Sequence, residues 1–319
     1  MQHDTRHALA IDIGGTKIAA AVVRSDGELL GQNRVAVQPT RDPDLMLKWV
    51  IDCAARAVEM SSVTPSDIIG VGCGCGGPMK WPEGIVSPIN IPAWRDFPLR
   101  RRLADAFPGG PVFVHNDAIA LAVGVHWRGP AAGARNMLAI TVSTGVGGGL
   151  ILDGELFHGK SGNAGHVGHV IIEPDGPKCA CGAHGCLEAI ASGPNTVRWA
   201  LAQGWQPASR ESADGLGLAR AAEAGDDIAR RALARAGAAV GTGAASMASA
   251  LDLDAIVIAG GFSRSGRYFW DSLRGAFGSY ARMTFSQTTR VEPDESRGET
   301  SLLGPAGFVL FPEKYGWPL

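Results

Sequence analysis

Two stretches of this chain repeat one pattern at long range. LAIDIGGTKIAAAVV begins at Leu9 and LAITVSTGVGGGLIL begins at Leu138, an offset of 129 residues. Each is an apolar β-rich run, then a Gly/Thr turn, then a second apolar run. Leu9, Ala10 and Ile11 correspond to Leu138, Ala139 and Ile140, and Asp12 and Ile13 correspond to Thr141 and Val142. Solenoid repeats recur every roughly 20–50 residues, so this spacing predicts a duplicated α/β domain instead. A turn of small residues leaves its backbone N–H groups open and lets anionic oxygens approach the main chain. The turns Gly14, Gly15, Thr16, Lys17 and Thr144, Gly145, Gly147 are therefore candidate phosphate sites. A third Gly-Gly turn, Gly260–Gly261, follows the apolar run AIVIA.

The remaining pattern alternates strands with helices, which argues for α/β layers. Helical spacing of Leu45, Leu47, Val50, Ile51 and Ala54 predicts a helix over 44–60. IIGVGCGCGGP (68–78) reads as a buried strand ending in a glycine loop, 98–107 as a helix, and 111–118 as a strand delivering His115, Asn116 and Asp117 to its end. Residues 216–250 read as helical, 253–266 as strand, turn and helix start, and 301–311 as the last helix. VGHVII (167–172) reads as an apolar strand, and the tract 130–136 as a connector between the halves. Hydrophobic residues make up 45 % of the 319 and charged residues 19 %, enough for two proper cores at roughly 100–200 residues per domain. The net charge of −2 advertises no basic face, so neither nucleic acid nor membrane is an expected partner. No apolar run approaches the roughly 20 residues that span a bilayer. The start, MQHDTRHALAIDIGGTK, runs from a short apolar stretch into a Gly-Gly turn and is not read as a signal peptide. A cytoplasmic protein is expected.

The Walker pattern GxxxxGK[ST] is absent, and GVGGGL (145–150) lies between two apolar runs, where a hairpin is expected rather than a dinucleotide turn. Asp12 opens the first turn. A carboxylate beside phosphate is unwelcome unless a cation intervenes, so Asp12 either holds Mg²⁺ through water or fixes the hairpin as an Asx turn. Asp117 at a strand end is either a helix N-cap or a general base. Cys179, Cys181 and Cys186, with His169 ten residues earlier, offer three thiolates and an imidazole, a closed tetrahedral set for a structural zinc. Read without a metal, they are three reduced buried thiols. Cys53, Cys73 and Cys75 read as packing residues.

LAIDIGGTK, the GGP loop, NIPAW, HNDA, STGVGGGL, GxxGxxGH and CxCGxxGCxE, in this order, resemble the ROK family of repressors, open reading frames and kinases, over about residues 8–311. The resemblance implies a two-domain actin-like, ribonuclease-H-like duplicated α/β fold of the sugar kinases with a structural zinc site. Its N-terminal α/β domain would cover 1–118, joined by the C-terminal helix (about 301–319), and the C-terminal α/β domain with the zinc motif would cover 119–300. It implies ATP-dependent phosphorylation of a hexose at its 6-hydroxyl, of glucokinase type. Asp117 would be the base. Gly77, Asn90, Asn116, His166, His169 and Glu188 would contact the sugar, the last two positioned by the zinc knot. Asp12 and the first two turns would hold Mg²⁺ and the phosphates of ATP, with Gly260 and Gly261 on the adenosine side. A homodimer or tetramer is expected.

One position departs from the family pattern. Glucokinases of this family carry Glu in GxxGExGH, where this chain reads Gly162-Asn163-Ala164-Gly165-His166-Val167-Gly168-His169. A carboxylate only accepts hydrogen bonds, whereas a neutral imidazole donates one and accepts one. Kinases of N-acetylmannosamine in the family resemble AGHxGH here, so that sugar or another amino-hexose stands beside glucose as the expected substrate. Two other readings are a sugar-responsive repressor and a catalytically silent sugar sensor. Only seven residues precede Ala8, too few for the winged helix of the family's repressors, and Asp117 with both phosphate turns argues against a silent sensor.

Overall fold

The computed structural model describes residues 6–296 and 298–317. In chain order it begins with β1 (His7–Ile13), β2 (Lys17–Arg24), β3 (Leu29–Ala36), α1 (Pro43–Ser61), β4 (Ile68–Cys75), the short pair β5 (Met79–Lys80) and β6 (Ile85–Val86), α2 (Leu99–Ala106), β7 (Val112–Asn116) and α3 (Asp117–Arg128). The chain continues through β8 (Met137–Val142), β9 (Val146–Leu152), β10 (Glu155–Leu156), α4 (Leu187–Ala191), α5 (Gly193–Ala202), α6 (Gly215–Glu223) and α7 (Asp227–Leu251). It ends with β11 (Ala255–Ala259), α8 (Arg267–Tyr280), β12 (Arg290–Pro293), α9 (Thr300–Leu310) and α10 (Pro312–Tyr315).

Both halves of the repeat become hairpins, β1–β2 and β8–β9, and the duplication extends to the sheets. One has the order β3-β2-β1-β4-β7 and the other β10-β9-β8-β11-β12. In the first, β1, β4 and β7 run parallel; in the second, β8, β11 and β12 do. A hairpin-linked run of three strands followed by two parallel strands thus occurs twice. By compactness the chain falls into two units. One takes in the chain up to Gly133, residues 149–164 and the chain from Ser296 onward; the other takes in 134–148 and 165–295. The passage at Gly133 falls inside the 130–136 tract, and α3 belongs to the first unit.

Local rules account for the helices. The Asp42 carboxylate caps α1 by accepting the Asp44 and Leu45 N–H groups at 2.9 and 3.1 Å, and Pro43 opens the first turn. Met46, Leu47, Val50, Cys53, Ala54 and Ala57 then form its buried face. The helical stretch expected over 216–250 is two helices. Gly225, at φ +108°, takes the chain out of α6, and Asp226 caps α7 by accepting the Ala229 N–H at 2.8 Å. VGHVII is not a strand: Val167–His169 is a single 3₁₀ turn, and an isolated bridge from Ile171 to Cys186 replaces the ladder. A Cβ on Gly168 would lie 1.9 Å from the Val146 carbonyl oxygen, so the backbone turns there against β9 rather than extending. Cys53, Cys73 and Cys75 are buried, as expected of packing residues.

Helix α9 seats against α3 and β4 through backbone contacts that only glycine permits. A Cβ on Gly304 would fall 1.7 Å from the Ala120 carbonyl oxygen, one on Gly124 2.1 Å from that of Thr300, and one on Gly72 1.8 Å from that of Pro305. The same device joins α7 to α8, where Gly237 and Gly241 face the Phe269 and Leu273 carbonyls. Replacing Gly304 by Val is predicted to destabilise the protein by about 3 kcal/mol, since overpacking of rigid backbone has no outlet. Thermal unfolding checks this: a melting temperature within 1 °C or so of the parent would contradict the packing described.

Candidate active site

In the first unit, β1 ends in Asp12-Ile13 and the chain turns through Gly14, Gly15 and Thr16. The turn closes with the Gly14 N–H donating to the Lys17 carbonyl at 2.9 Å. Thr16 and Lys17 are exposed. Gly15 lies against the loop after β6: a Cβ there would stand 2.8 Å from the Asn90 carbonyl oxygen and 3.0 Å from its side-chain nitrogen. Gly76 and Gly77 face the same group of amides. A Cβ on Gly76 would lie 3.2 Å from Asn90 Oδ1, and one on Gly77 3.4 Å from Asn116 Nδ2. The first turn, the GGP loop, Asn90 and Asn116 are therefore brought together by backbone that approaches side chains closely.

Asn116 ends β7 and caps α3, its Oδ1 accepting the Ala118 N–H at 3.0 Å. Asp117 is the first residue of α3, where the helix dipole favours an anion, and its Oδ1 accepts the same N–H at 2.9 Å. Strand register brings Asp12 near it: Asp12 pairs with Gly74 of β4, and Gly74 pairs with His115 of β7. A Cβ on Gly74 would lie 3.5 Å from the Asp117 Cα. Burial first, and then the neighbouring Asp117 charge, push the Asp12 carboxyl up to about 6, against the Ser301 side chain and the charges of Lys17 and Arg34. Two carboxylates so placed favour a cation between or beside them.

Arg95 holds the loop that carries Asn90, its Nη1 donating to the carbonyls of Pro88 and Ile91, each at 3.0 Å. Nothing in the sequence singled out this arginine. Its signal is only its place directly after NIPAW.

In the second unit, the turn between β8 and β9 closes with the Ser143 N–H donating to the Gly145 carbonyl at 2.9 Å, and Thr144 is exposed. Glu188, on the first turn of α4, braces this turn: its Oε2 accepts the Val146 N–H at 2.9 Å. The same oxygen occupies the place of a Gly145 Cβ, at 2.7 Å, so Gly145 has no room for a side chain. Gly147 follows in β9. Gly260, at φ +96°, packs on the Val142 carbonyl, which sets the Gly260–Gly261 turn beside the β8–β9 turn. His166 is exposed and precedes the 3₁₀ turn that carries His169.

His169, Cys179, Cys181 and Cys186 gather their ligand atoms within 4.8 Å of one another, in a group suited to a metal ion. His169 Nδ1 is 3.7 Å from Cys179 Sγ, and Cys181 Sγ is 3.7 Å from Cys186 Sγ. A zinc–thiolate tetrahedron with Zn–S of about 2.3 Å has edges of about 3.8 Å, so these spacings fit that ion. Gly182 and Gly185, at φ +98° and +67°, turn the chain between the cysteines. Burial, then the adjacent thiols, push Cys186 up to about 12, a penalty that a bound cation would remove. His184 stays at the surface, its Nδ1 3.3 Å from the Gly176 carbonyl.

Comparison with known proteins identifies the family and the fold. The ROK family model matches residues 8–311. The ROK hexokinase from Thermus thermophilus is 35 % identical, with a TM-score of 0.85 over 97 % of this chain and 99 % of its own. A ROK family glucokinase from Streptomyces griseus, solved in complex with glucose and AMPPNP, is 31 % identical with a TM-score of 0.79, covering 95 % and 99 %. An N-acetylmannosamine kinase of Yersinia pseudotuberculosis is 34 % identical over 311 residues, 93 % of this chain and 96 % of its own. The α/β architecture is thus that of solved ROK sugar kinases.

The Asp12 environment predicts a pH-dependent penalty. Its folded-state pKa lies above the unfolded one, so the folded protein holds the extra proton. The penalty is absent below pH about 4, grows as pH rises and is complete above about 6. The rise from 3.8 to about 6 corresponds to at most about 3 kcal/mol. In magnesium-free buffer at pH 7.5, Asp12→Asn is therefore expected to melt higher than the parent by about 2–6 °C, with the gap closing at pH 4.5. A gap that is independent of pH would contradict the assignment.

Proposed function

The chain belongs to the ROK family, and from that membership we propose that it is an ATP-dependent sugar kinase that phosphorylates the 6-hydroxyl of a hexose. The observation that carries this reading is Asp117, held at the junction of β7 and α3 beside Asn116 and electrostatically coupled to Asp12. Phosphoryl transfer asks little covalent chemistry of a protein: it needs an aligned nucleophile, a cation, and donors around the transferred group. Asp117 is the general base that accepts the proton of the sugar hydroxyl as the oxygen attacks the γ-phosphorus and ADP leaves. Asp12 suits Mg²⁺, held through water, which supplies charge neutralisation at the phosphates. The turns at Gly14, Gly15, Thr16 and Lys17 and at Thr144, Gly145 and Gly147 hold phosphate oxygens through the backbone N–H groups that turn closure leaves open, the Gly14 N–H being engaged by the Lys17 carbonyl, and Gly260 and Gly261 line the adenosine. The named relatives, a hexokinase, a glucokinase and an N-acetylmannosamine kinase, support this class of reaction.

Asn90 and Asn116 hold sugar hydroxyls by their amides, and Gly77 leaves room for the ring. His169 turns Nδ1 toward the thiolates, which leaves Nε2 to donate to a hydroxyl with its tautomer set by the metal. Zinc is the metal the three-thiolate, one-imidazole set fits, and its role is to fix this wall. Glu188 reaches the sugar with the carboxylate that braces the Val146 N–H. His166 completes the set and carries the second reading. A group that donates as well as accepts favours an acetamido or amino substituent where a carboxylate favours hydroxyls alone, so N-acetylmannosamine or another amino-hexose is the alternative substrate. Among the described residues no helix is long and apolar enough to cross a membrane. A cytoplasmic homodimer or tetramer belongs to the same reading.

ADP release with Mg·ATP across glucose, mannose, N-acetylmannosamine, glucosamine and N-acetylglucosamine tests it. One sugar is expected to drive turnover, Asp117→Ala to lower kcat by about 10³-fold with sugar still binding, and His166→Glu to shift preference toward glucose. Sugar binding with no turnover in the parent would replace the kinase with a sensor. The metal has its own measurement. Elemental analysis is expected to find about one zinc per chain, lost in Cys186→Ser; zinc-free folded parent protein would leave the cluster a set of plain thiols.

A further inference from the structure

The first unit also holds a directed chain of hydrogen bonds that ends on the backbone beside Asp117. His115 is 1 % exposed, and its Nδ1 accepts the Asn116 N–H at 2.8 Å. An accepting ring nitrogen carries no proton, so the His115 proton sits on Nε2. That Nε2 lies 3.3 Å from Nδ1 of His158. The other nitrogen of His158 lies 3.1 Å from the Gly316 carbonyl oxygen, which only accepts. Direction is thereby fixed throughout: Asn116 N–H to His115, His115 Nε2–H to His158, His158 Nε2–H to Gly316. Either imidazole in its other tautomer breaks the chain at two joints, and either one doubly protonated breaks it at one.

Packing holds the rings in this relation. The two imidazole planes are within 9° of each other, an arrangement compatible with an in-plane N–H···N bond. Trp81 stacks on His158 at 4.9 Å, and Trp317 stands edge-on to both imidazoles at 5.2 and 5.5 Å. Gly162, at φ +73°, fits against the Trp81 ring where any Cβ would lie 2.5 Å from it. Burial keeps His158 below the ordinary imidazole value, in keeping with a neutral ring. At the far end Tyr315 anchors the same C-terminal segment, its hydroxyl 2.7 Å from His126 on α3.

We propose that His158 is a positioning residue for the base: acting through His115, it fixes the Asn116 peptide and with it the Asn116–Asp117 junction, while the Gly316 carbonyl selects its tautomer. The inference rests on Asp117 being the base. Asn116 is the cap of α3 and Asp117 its first residue, so a rotation of the Asn116 peptide displaces the carboxylate. Misplacement of a reacting group by about 1 Å costs up to about 10²-fold in rate. The stretch 149–164 and the C-terminal segment, which bear no proposed substrate contact, acquire a role in turnover through this chain.

Two variants test it. His158→Phe keeps a ring on Trp81 but neither donates nor accepts; His158→Gln does both. In the kinase assay His158→Phe is expected to lose about tenfold in kcat, the worth of one directed hydrogen bond, with KM for sugar and ATP within about twofold, and His158→Gln to recover to within about threefold. Equal losses in both variants, or none in His158→Phe, would overturn the proposal and leave a packing role. Hydrogen exchange at the Asn116 amide decides the matter independently of turnover. It is expected to accelerate about tenfold in His158→Phe and not in His158→Gln; unchanged protection in His158→Phe overturns the proposal. If the parent phosphorylates no sugar while the exchange result holds, the kinase reading fails and the hydrogen-bond chain stands.

Discussion

Everything at the candidate site depends on two carboxylates that would rather be apart. Asp12 and Asp117 sit in one unit, Asp12 near the end of β1 and Asp117 at the start of α3 just after β7, and Gly74 of β4 pairs with Asp12 on one side and His115 on the other. Burial and mutual repulsion raise the Asp12 pKa to about 6, so the protein alone stabilises this pair poorly. The surroundings offset part of that: the Ser301 side chain, on α9, and the charges of Lys17 and Arg34 act against the rise, and the tight glycine seat holds α9 on α3 and β4. The remainder is an electrostatic demand for a cation. Perturbed carboxylates of this kind mark functional sites more often than structural ones.

The duplication sharpens the contrast between the halves. The position of Asp12 in the first hairpin is Thr141 in the second, so the second turn has no carboxylate of its own. One is brought from α4, where Glu188 accepts the Val146 N–H. One turn thus carries its anion in the strand, beside the proposed cation site, while the other is braced from outside. Any group that draws the Glu188 carboxylate away also loosens the turn proposed to hold phosphate. On the proposed function, that single side chain would link sugar and nucleotide.

Much of this was legible in the sequence because it is local. The two hairpins follow from apolar runs interrupted by Gly/Thr turns, α1 from its period, and the Cys179–Cys181–Cys186 cluster from residue type together with the family resemblance. What sequence could not give depends on contacts far along the chain. His115 and His158 are 43 residues apart, and nothing local links either to Gly316. VGHVII carries a strand's composition, but the Val146 carbonyl against Gly168 turns it into a 3₁₀ turn. The split of the 216–250 stretch into α6 and α7 hinges on Gly225 and the Asp226 cap, signals present in the sequence and outweighed there by an Ala-rich background.

The proposed function divides labour between the two carboxylates, with Asp12 for the cation and Asp117 for the proton. Titration calorimetry of Mg·AMPPNP, with the preferred sugar present, tests that division most directly in the parent, Asp12→Asn and Asp117→Asn proteins. Asp12→Asn is expected to weaken nucleotide binding by about tenfold or more, while Asp117→Asn binds nucleotide and sugar as the parent does. Equal weakening in both variants, or none in Asp12→Asn, would contradict it.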